Sequence, residues 1–247
     1  MQALRLLYAV GAQDLALQLH ADLGSRLTNP AQIEVLAELA AEHRDARGLL
    51  ALGKLATQRG LPLDQAAYPV IGIPAFEPVG GQGGAEVERA MVYAIARQES
   101  AFDPRAQSQV GARGLMQLMP ATAKRTAQRF GLAFDQARLL DDPAYNARLG
   151  SAHLGELLED WRGSYILTFA SYNAGGGNVR KWVQAYGDPR SPDVDPVDWV
   201  ERIPFSETRN YVQRVLENAI VYDTLNPRRG VVRPDQLSLY LGKNRPG

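Results

Sequence analysis

The 247-residue chain has no cysteine and only three histidines, His20, His43 and His153. The first absence removes disulfides, thiolate metal sites and a cysteine nucleophile. The second, with no HExxH pattern, leaves no basis for a histidine zinc site. No calcium loop of the D-x-D-x-D-G type occurs either, so no metal is expected. No apolar run approaches the length of a membrane-spanning helix, so no integral membrane segment is expected. Excess charge is lacking too: 27 Lys and Arg balance 27 Asp and Glu, and no global field favours nucleic acid or an anionic surface. The opening "MQALRLLYAVGAQD" is too short, and too broken by Arg5 and Gly11, for a secretory hydrophobic region. The expectation is therefore a cytoplasmic protein, or a mature or truncated form of an exported one.

What is present reads as helix. The composition, 45% hydrophobic and 22% charged, is that of a globular chain. Leu15, Leu19 and Leu23 recur at helical spacing; Ile33, Leu36 and Ala40 do so as well, and then Leu49, Leu52 and Leu55. Gly11, "TNP" at 28–30 and Gly60 punctuate them. Residues 1–68 are expected to form short helical hairpins. Residues 69–85 read as a Pro/Gly-rich connector that ends in a flexible loop, Gly80 to Gly84, with no strand before it and no GK after it to make it a phosphate loop. Residues 86–247 return to helix. Val87, Met91, Ala94 and Ile95 mark one face of the first helix. Further helices are expected over Pro120–Phe130, Pro143–Trp161 and Tyr165–Asn173, and a last long one from an N-cap at Ser206, with Tyr211, Val215 and Tyr222 on one stripe. The glycines at 175–177 read as a helix cap and tight turn. Strand signals are sparse, and the fold class is all-α.

Within this pattern "ARQESAFDPRAQS", residues 96–108, places the carboxyl of Glu99 at a helix C-terminus. The helix dipole disfavours negative charge there, and Ala101 and Phe102 beside it could withdraw it from water. Both effects raise a carboxyl pKa toward the range of a general acid. A solvated helix-end glutamate is the plainer alternative. Three further segments combine polar side chains with glycine or apolar residues: "GARGLMQLMPATA" at 111–123, "SYNAGGGNVRKW" at 171–182 and "IPFSETRNYVQRV" at 203–215. Polar groups in such settings are costly unless they face a cleft, and aromatic and amide groups together suit sugar rings.

These four blocks, in this order, resemble the SLT domain of the soluble lytic transglycosylases, of glycoside hydrolase family 23 type, over about residues 86–226. The preceding part, including "LDQAAYPVIGIP", resembles the end of that family's α-superhelical region. The resemblance implies a lysozyme-like α-helical catalytic domain. It also implies cleavage of the β-1,4 bond between N-acetylmuramic acid and N-acetylglucosamine in peptidoglycan, without water, to a 1,6-anhydromuramyl product. Glu99 falls on the family's single acid/base. An ordinary glycosidase uses two carboxylates at a set spacing. Near Glu99 the sequence offers only Asp103, which reads as a turn residue before Pro104. No cofactor is implied.

By the same resemblance, Ser100 should orient Glu99 or the sugar. Gln98 lies beside them. Gln117 and Met119 should line the glycan groove, and Tyr172 and Asn173 should hydrogen-bond near the acid. Glu207 matches a second, supporting carboxylate, and Tyr211 follows it in the same block. Structural readings stand beside these: Tyr211 and Met116 as core, Trp182 and Trp199 as packing, Arg180 and Lys181 as a solvated face, and His153 as a satisfied helix residue. The implied partner is the peptidoglycan glycan strand in the periplasm, bound by a monomer, with residues 1–68 a possible contact for cell-wall machinery. The family's leader and long superhelix are not seen, so processive grip on long glycans is not expected. A goose-type-lysozyme-like hydrolase and a non-catalytic glycan-binding protein are the alternatives.

Overall fold

The computed structural model describes residues 1–77, 79, 87–225 and 236–242. The Gly80–Gly84 loop expected from the sequence lies outside the described residues. The chain divides into two compact units, one of residues 1–74 with 101–103 and the other of 75–100 with 104–247.

The first unit holds α1 (Gln2–Ala9), α2 (Gln13–Arg26), α3 (Pro30–Glu42), α4 (Ala46–Gln58) and the short α5 (Asp64–Ala67). Two starts are written in the sequence. Asn29 accepts from the Ala31 N–H, with Pro30 at the first helical position. Asp45 accepts from the Gly48 N–H at 2.9 Å. Ile33, Leu36, Ala40, Leu49 and Leu52 are buried in one cluster, as their spacing predicts. The stripe on α2 differs. Leu15 is 55% exposed, and the buried positions are Ala16, His20 and Gly24. The closest face of α2 carries small residues because the Leu52 and Leu55 side chains of α4 would lie within about 3 Å of any Cβ at Gly24. The leucines flank that contact. A polar pin joins three helices: the Tyr8 hydroxyl donates to Asp45 at 2.9 Å and lies 2.7 Å from His20 Nε2.

The second unit runs α6 (Arg89–Glu99), α7 (Pro120–Arg129), α8 (Arg138–Asp141), α9 (Pro143–Asp160), α10 (Tyr165–Ala174), α11 (Gly176–Tyr186), α12 (Pro196–Glu201), α13 (Ser206–Leu225) and α14 (Gln236–Tyr240). Among the described residues there is no strand, and the bridges Gln107–Arg113 and Arg113–Leu118 are isolated. The α6 stripe Met91, Ala94 and Ile95 is buried, and so are Tyr211, Val215 and Tyr222 of α13; these two helices pack along each other. A second cluster joins Ala123 and Ala127 of α7 with Leu139 of α8 and Tyr145 and Leu149 of α9.

Ser206 is already the first helical residue of α13, one position inside the cap expected for it. Trp199 is buried and donates its indole N–H to the Gly187 carbonyl, while Trp182 is buried edge-on to Phe205. Both are packing residues. His153 is buried with Nδ1 3.1 Å from Glu156, and Arg180 and Lys181 are exposed.

Candidate active site

Glu99 is the last residue of α6. Its carboxyl is partly exposed and accepts a hydrogen bond from the Tyr211 hydroxyl at 2.7 Å, across 112 residues of sequence. Burial pushes its pKa from 4.5 up to about 7, the Tyr211 hydrogen bond opposes the rise, and the negative charge of Glu207 adds to it. A group poised there exchanges a proton in either direction near neutral pH. The chain leaves α6 through two consecutive non-glycine residues of positive φ, Ala101 at 51° and Phe102 at 65°. That conformation costs of order 1–3 kcal/mol per residue and holds only where surrounding structure enforces it.

Beside Glu99 lies a tight loop, residues 113–118, closed by reciprocal hydrogen bonds between the Arg113 and Leu118 backbones at 3.0 Å. Its carbonyls receive the side chains of the site. The Ser100 hydroxyl lies 2.8 Å from the Leu115 carbonyl and 3.0 Å from that of Ala96. The Tyr172 hydroxyl donates to the Met116 carbonyl at 2.7 Å. Burial, and then the charge of Glu99, raises the Tyr172 hydroxyl well above its ordinary 10.0, and burial and Glu99 do the same to Tyr211. Both phenols therefore stay protonated donors. Gln117 sits at φ 47° and spends its side-chain NH₂ on the carbonyls of Ala106 and Gly114, each at 2.9 Å. It braces the loop from within. Gly114, at φ 76°, could carry no Cβ, which would fall 2.3 Å from Asn146 Nδ2.

The residues named from the sequence thus divide. Glu99 and Tyr211 form one hydrogen-bonded pair, and Ser100, Tyr172 and Gln117 converge on the loop. Asn173 accepts from the Thr208 hydroxyl at 2.6 Å, which ties the end of α10 to α13. Glu207 is exposed in the first turn of α13 and reaches Glu99 through its field. Gln98 and Met119 are exposed, and the hydrogen bonds joining the other residues do not include them. Met116 is fully buried, as a core residue would be. Asp103 pairs with Arg47 at 3.3 Å, a structural tie. Sequence reasoning missed Asn146, a fully buried amide in α9. The available signal was a carboxamide inside an apolar helical pattern, where it is unfavourable without partners. Among the described residues no group of histidines and carboxylates could hold a metal ion, and no helix is long and apolar enough to cross a membrane.

Comparison with known proteins supplies the family context. Residues 81–192 match the transglycosylase SLT domain. Residues 202–226 match the soluble lytic transglycosylase helical domain, a match that falls on α13 and not on residues 1–68. The soluble lytic murein transglycosylase of Escherichia coli K12 is 42% identical over 134 residues, 54% of this chain and 20% of that protein. The Salmonella typhimurium protein of the same name is 40% identical over an equal span. The crystal structure of the 70 kDa soluble lytic transglycosylase of Escherichia coli superposes with a TM-score of 0.76 at 28% identity, covering 94% of this chain and 37% of that one. A lytic transglycosylase of Pseudomonas aeruginosa, solved as an inactive glutamate-to-glutamine mutant, gives 0.70 at 29%. The matching segment therefore spans about a fifth of the length of these curated relatives, and the chain covers well under half of the solved structures.

Proposed function

The chain belongs, through residues 81–192, to the transglycosylase SLT-domain family, and on that premise we propose that it cleaves the β-1,4 MurNAc–GlcNAc bond of peptidoglycan without water. The observation that carries the proposal is Glu99: a partly exposed carboxyl at a helix end, held near neutrality by burial, with Tyr211 donating to it. Protonated Glu99 gives its proton to the glycosidic oxygen as the C1–O4 bond breaks. The resulting carboxylate, stabilised by the Tyr211 hydroxyl, then takes the proton of the muramyl C6 hydroxyl. O6 closes on C1, a 1,6-anhydro ring forms, and Glu99 ends as it began. One carboxyl suffices because the substrate supplies its own nucleophile, and the cycle calls on no cofactor. Tyr172, Asn173 and Ser100 are the proposed sugar contacts nearest the acid; Gln98, Gln117, Met119, Glu207 and Tyr211 complete the proposed substrate-contacting set. The same reading places the reaction in the periplasm, where peptidoglycan lies.

The test is digestion of purified peptidoglycan by the wild type and by Glu99→Gln, with the muropeptides weighed by mass spectrometry. Muropeptides lighter by one water than the hydrolysed ones, from the wild type alone, are the expected result. Free reducing ends would make water the nucleophile and Glu207 the next carboxylate to test. Glycan binding without turnover by either protein would make the chain a binding module.

A further inference from the structure

Asn146 spends its carboxamide on the loop at Glu99. Its Nδ2 donates to the Arg113 carbonyl at 2.8 Å and the Leu139 carbonyl at 3.0 Å, and its Oδ1 accepts from the Met116 N–H at 2.9 Å. The side chain is fully buried in α9, and α9 is among the longest and best-buried helices of its unit. The Met116 residue is thus gripped twice: its N–H by Asn146, its carbonyl by Tyr172. The preceding carbonyl, of Leu115, holds Ser100, the residue after the acid. Two glycines allow these close approaches. A Cβ on Gly114 would meet the Asn146 amide at 2.3 Å, and one on Gly150, a turn along α9 from Asn146, would meet Met116 Sδ at 2.3 Å.

We propose that Asn146 is a positioning residue for the reaction at Glu99, fixing from α9 the 113–118 loop on which Ser100 and Tyr172 are held. Only an amide serves. Two donors must face two carbonyls while one acceptor faces an N–H. An aspartate keeps the acceptor but turns oxygen toward the Arg113 and Leu139 carbonyls. An alanine leaves the buried Met116 N–H and Leu139 carbonyl without this partner and takes from the Arg113 carbonyl one of its two donors, the Leu118 N–H remaining. In either variant the loop loosens, water reaches the carboxyl, and the burial that raises Glu99 is reduced.

The activity arm of this proposal rests on the transglycosylase reading; the titration arm does not. Glutamate is labelled with ¹³C at Cδ, the Glu99 signal is assigned with Glu99→Gln, and its titration is followed in the wild type, Asn146→Asp and Asn146→Ala. Thermal unfolding and turnover of purified peptidoglycan are measured alongside. The expected result is a Glu99 midpoint moved from about 7 toward 4.5, with kcat lowered about a hundredfold and KM changed far less, as for a misplaced acid. Folded variants with a lowered Tm but an unchanged Glu99 midpoint and kcat would overturn the proposal and leave Asn146 a fold anchor. If neither variant folds, amide exchange in the wild type decides. The Met116 N–H is expected to be protected like the α9 backbone, and exchange at the rate of an open loop would refute the grip. If the wild type does not turn over peptidoglycan, the functional reading falls, and the midpoint comparison still decides the role of Asn146.

Discussion

At the scale of single residues, the site is an argument about where one proton sits. Glu99 is raised chiefly by burial, and the Tyr211 hydroxyl works in the opposite direction by favouring the carboxylate. Tyr211→Phe removes that donor and leaves the ring in place. Glu99 should then titrate higher, and the basic limb of the pH–kcat/KM profile should move up. A hydrogen bond to a charged group worth about 1.5 kcal/mol corresponds to about one pH unit. A limb that stays put or moves to lower pH would mean that Tyr211 does not act on the catalytic proton. Much of this was legible in advance. A carboxyl at a helix end beside apolar residues already pointed to Glu99. Its partner was not legible as one, because 112 residues separate it from Glu99 and nothing in the local pattern of α13 marks that contact. Tyr211 read equally well as core, and it is both: its ring is buried and its hydroxyl is used.

At the scale of elements, legibility followed helix length and local punctuation. α3, α9 and α10 announce themselves through apolar spacing and through Asn29, Asp142 and Ser164 as caps. α11 was missed because it opens on Gly176 and Gly177, where helix propensity is lowest; only the turn at Gly175, φ 82°, separates it from α10. α5, α8 and α12 are four to six residues long, too short to show a period. In this loop the family resemblance implied groove lining for Gln117, with Met119 just after it. The hydrogen bonds add a role that this pattern did not show, since the Gln117 NH₂ also braces the loop itself. These distinctions predict opposite signs for one substitution. Gly150→Ala puts a methyl 2.3 Å from Met116 Sδ and 2.9 Å from its Cβ, overpacking that should cost about 1–3 kcal/mol and lower turnover by displacing Met116. Gly177→Ala meets nothing within 4 Å and should stabilise by about 0.5–1 kcal/mol through helix propensity. Chemical denaturation of the two variants checks the pair. Equal effects would mean that the space around Met116 is not as tight as its contacts indicate.

At the scale of the whole molecule, the two units should respond to pH in opposite senses between pH 5 and 8. In the first, the single Tyr8 proton goes to Asp45, so His20 Nε2 must carry the hydrogen that meets the Tyr8 oxygen. His20 Nδ1 is then a buried atom with no partner among the described residues. Protonation would bury an unanswered N–H. Burial accordingly lowers the His20 pKa below 6.5, Asp45 opposes this, and the N-terminal amine adds to the lowering; His43 stacks on the Tyr8 ring beside them. The unfolded chain takes up that proton first, so this unit loses stability as pH falls below 6.5. Glu99 in the second unit is the reverse case. Its folded pKa lies above the ordinary 4.5, so the stability of the protonated form is complete below 4.5 and is lost as pH rises toward about 7. The carboxylates held low, Asp142, Glu156 and Asp188, act only at more acid pH. Amide exchange corrected for intrinsic rates should therefore show α2 and α4 better protected at pH 8 than at pH 5, and α6 and α13 better protected at pH 5. His20→Gln should abolish the first trend and Glu99→Gln the second, with a gain of about 1–2 kcal/mol at pH 8 once solvent access to the carboxyl is allowed for. A common direction in both units, or a trend that survives its variant, would remove these two groups as the cause. A gain in stability on losing Glu99 would mean that this chain keeps a destabilising carboxyl at the position where its proposed chemistry needs an acid.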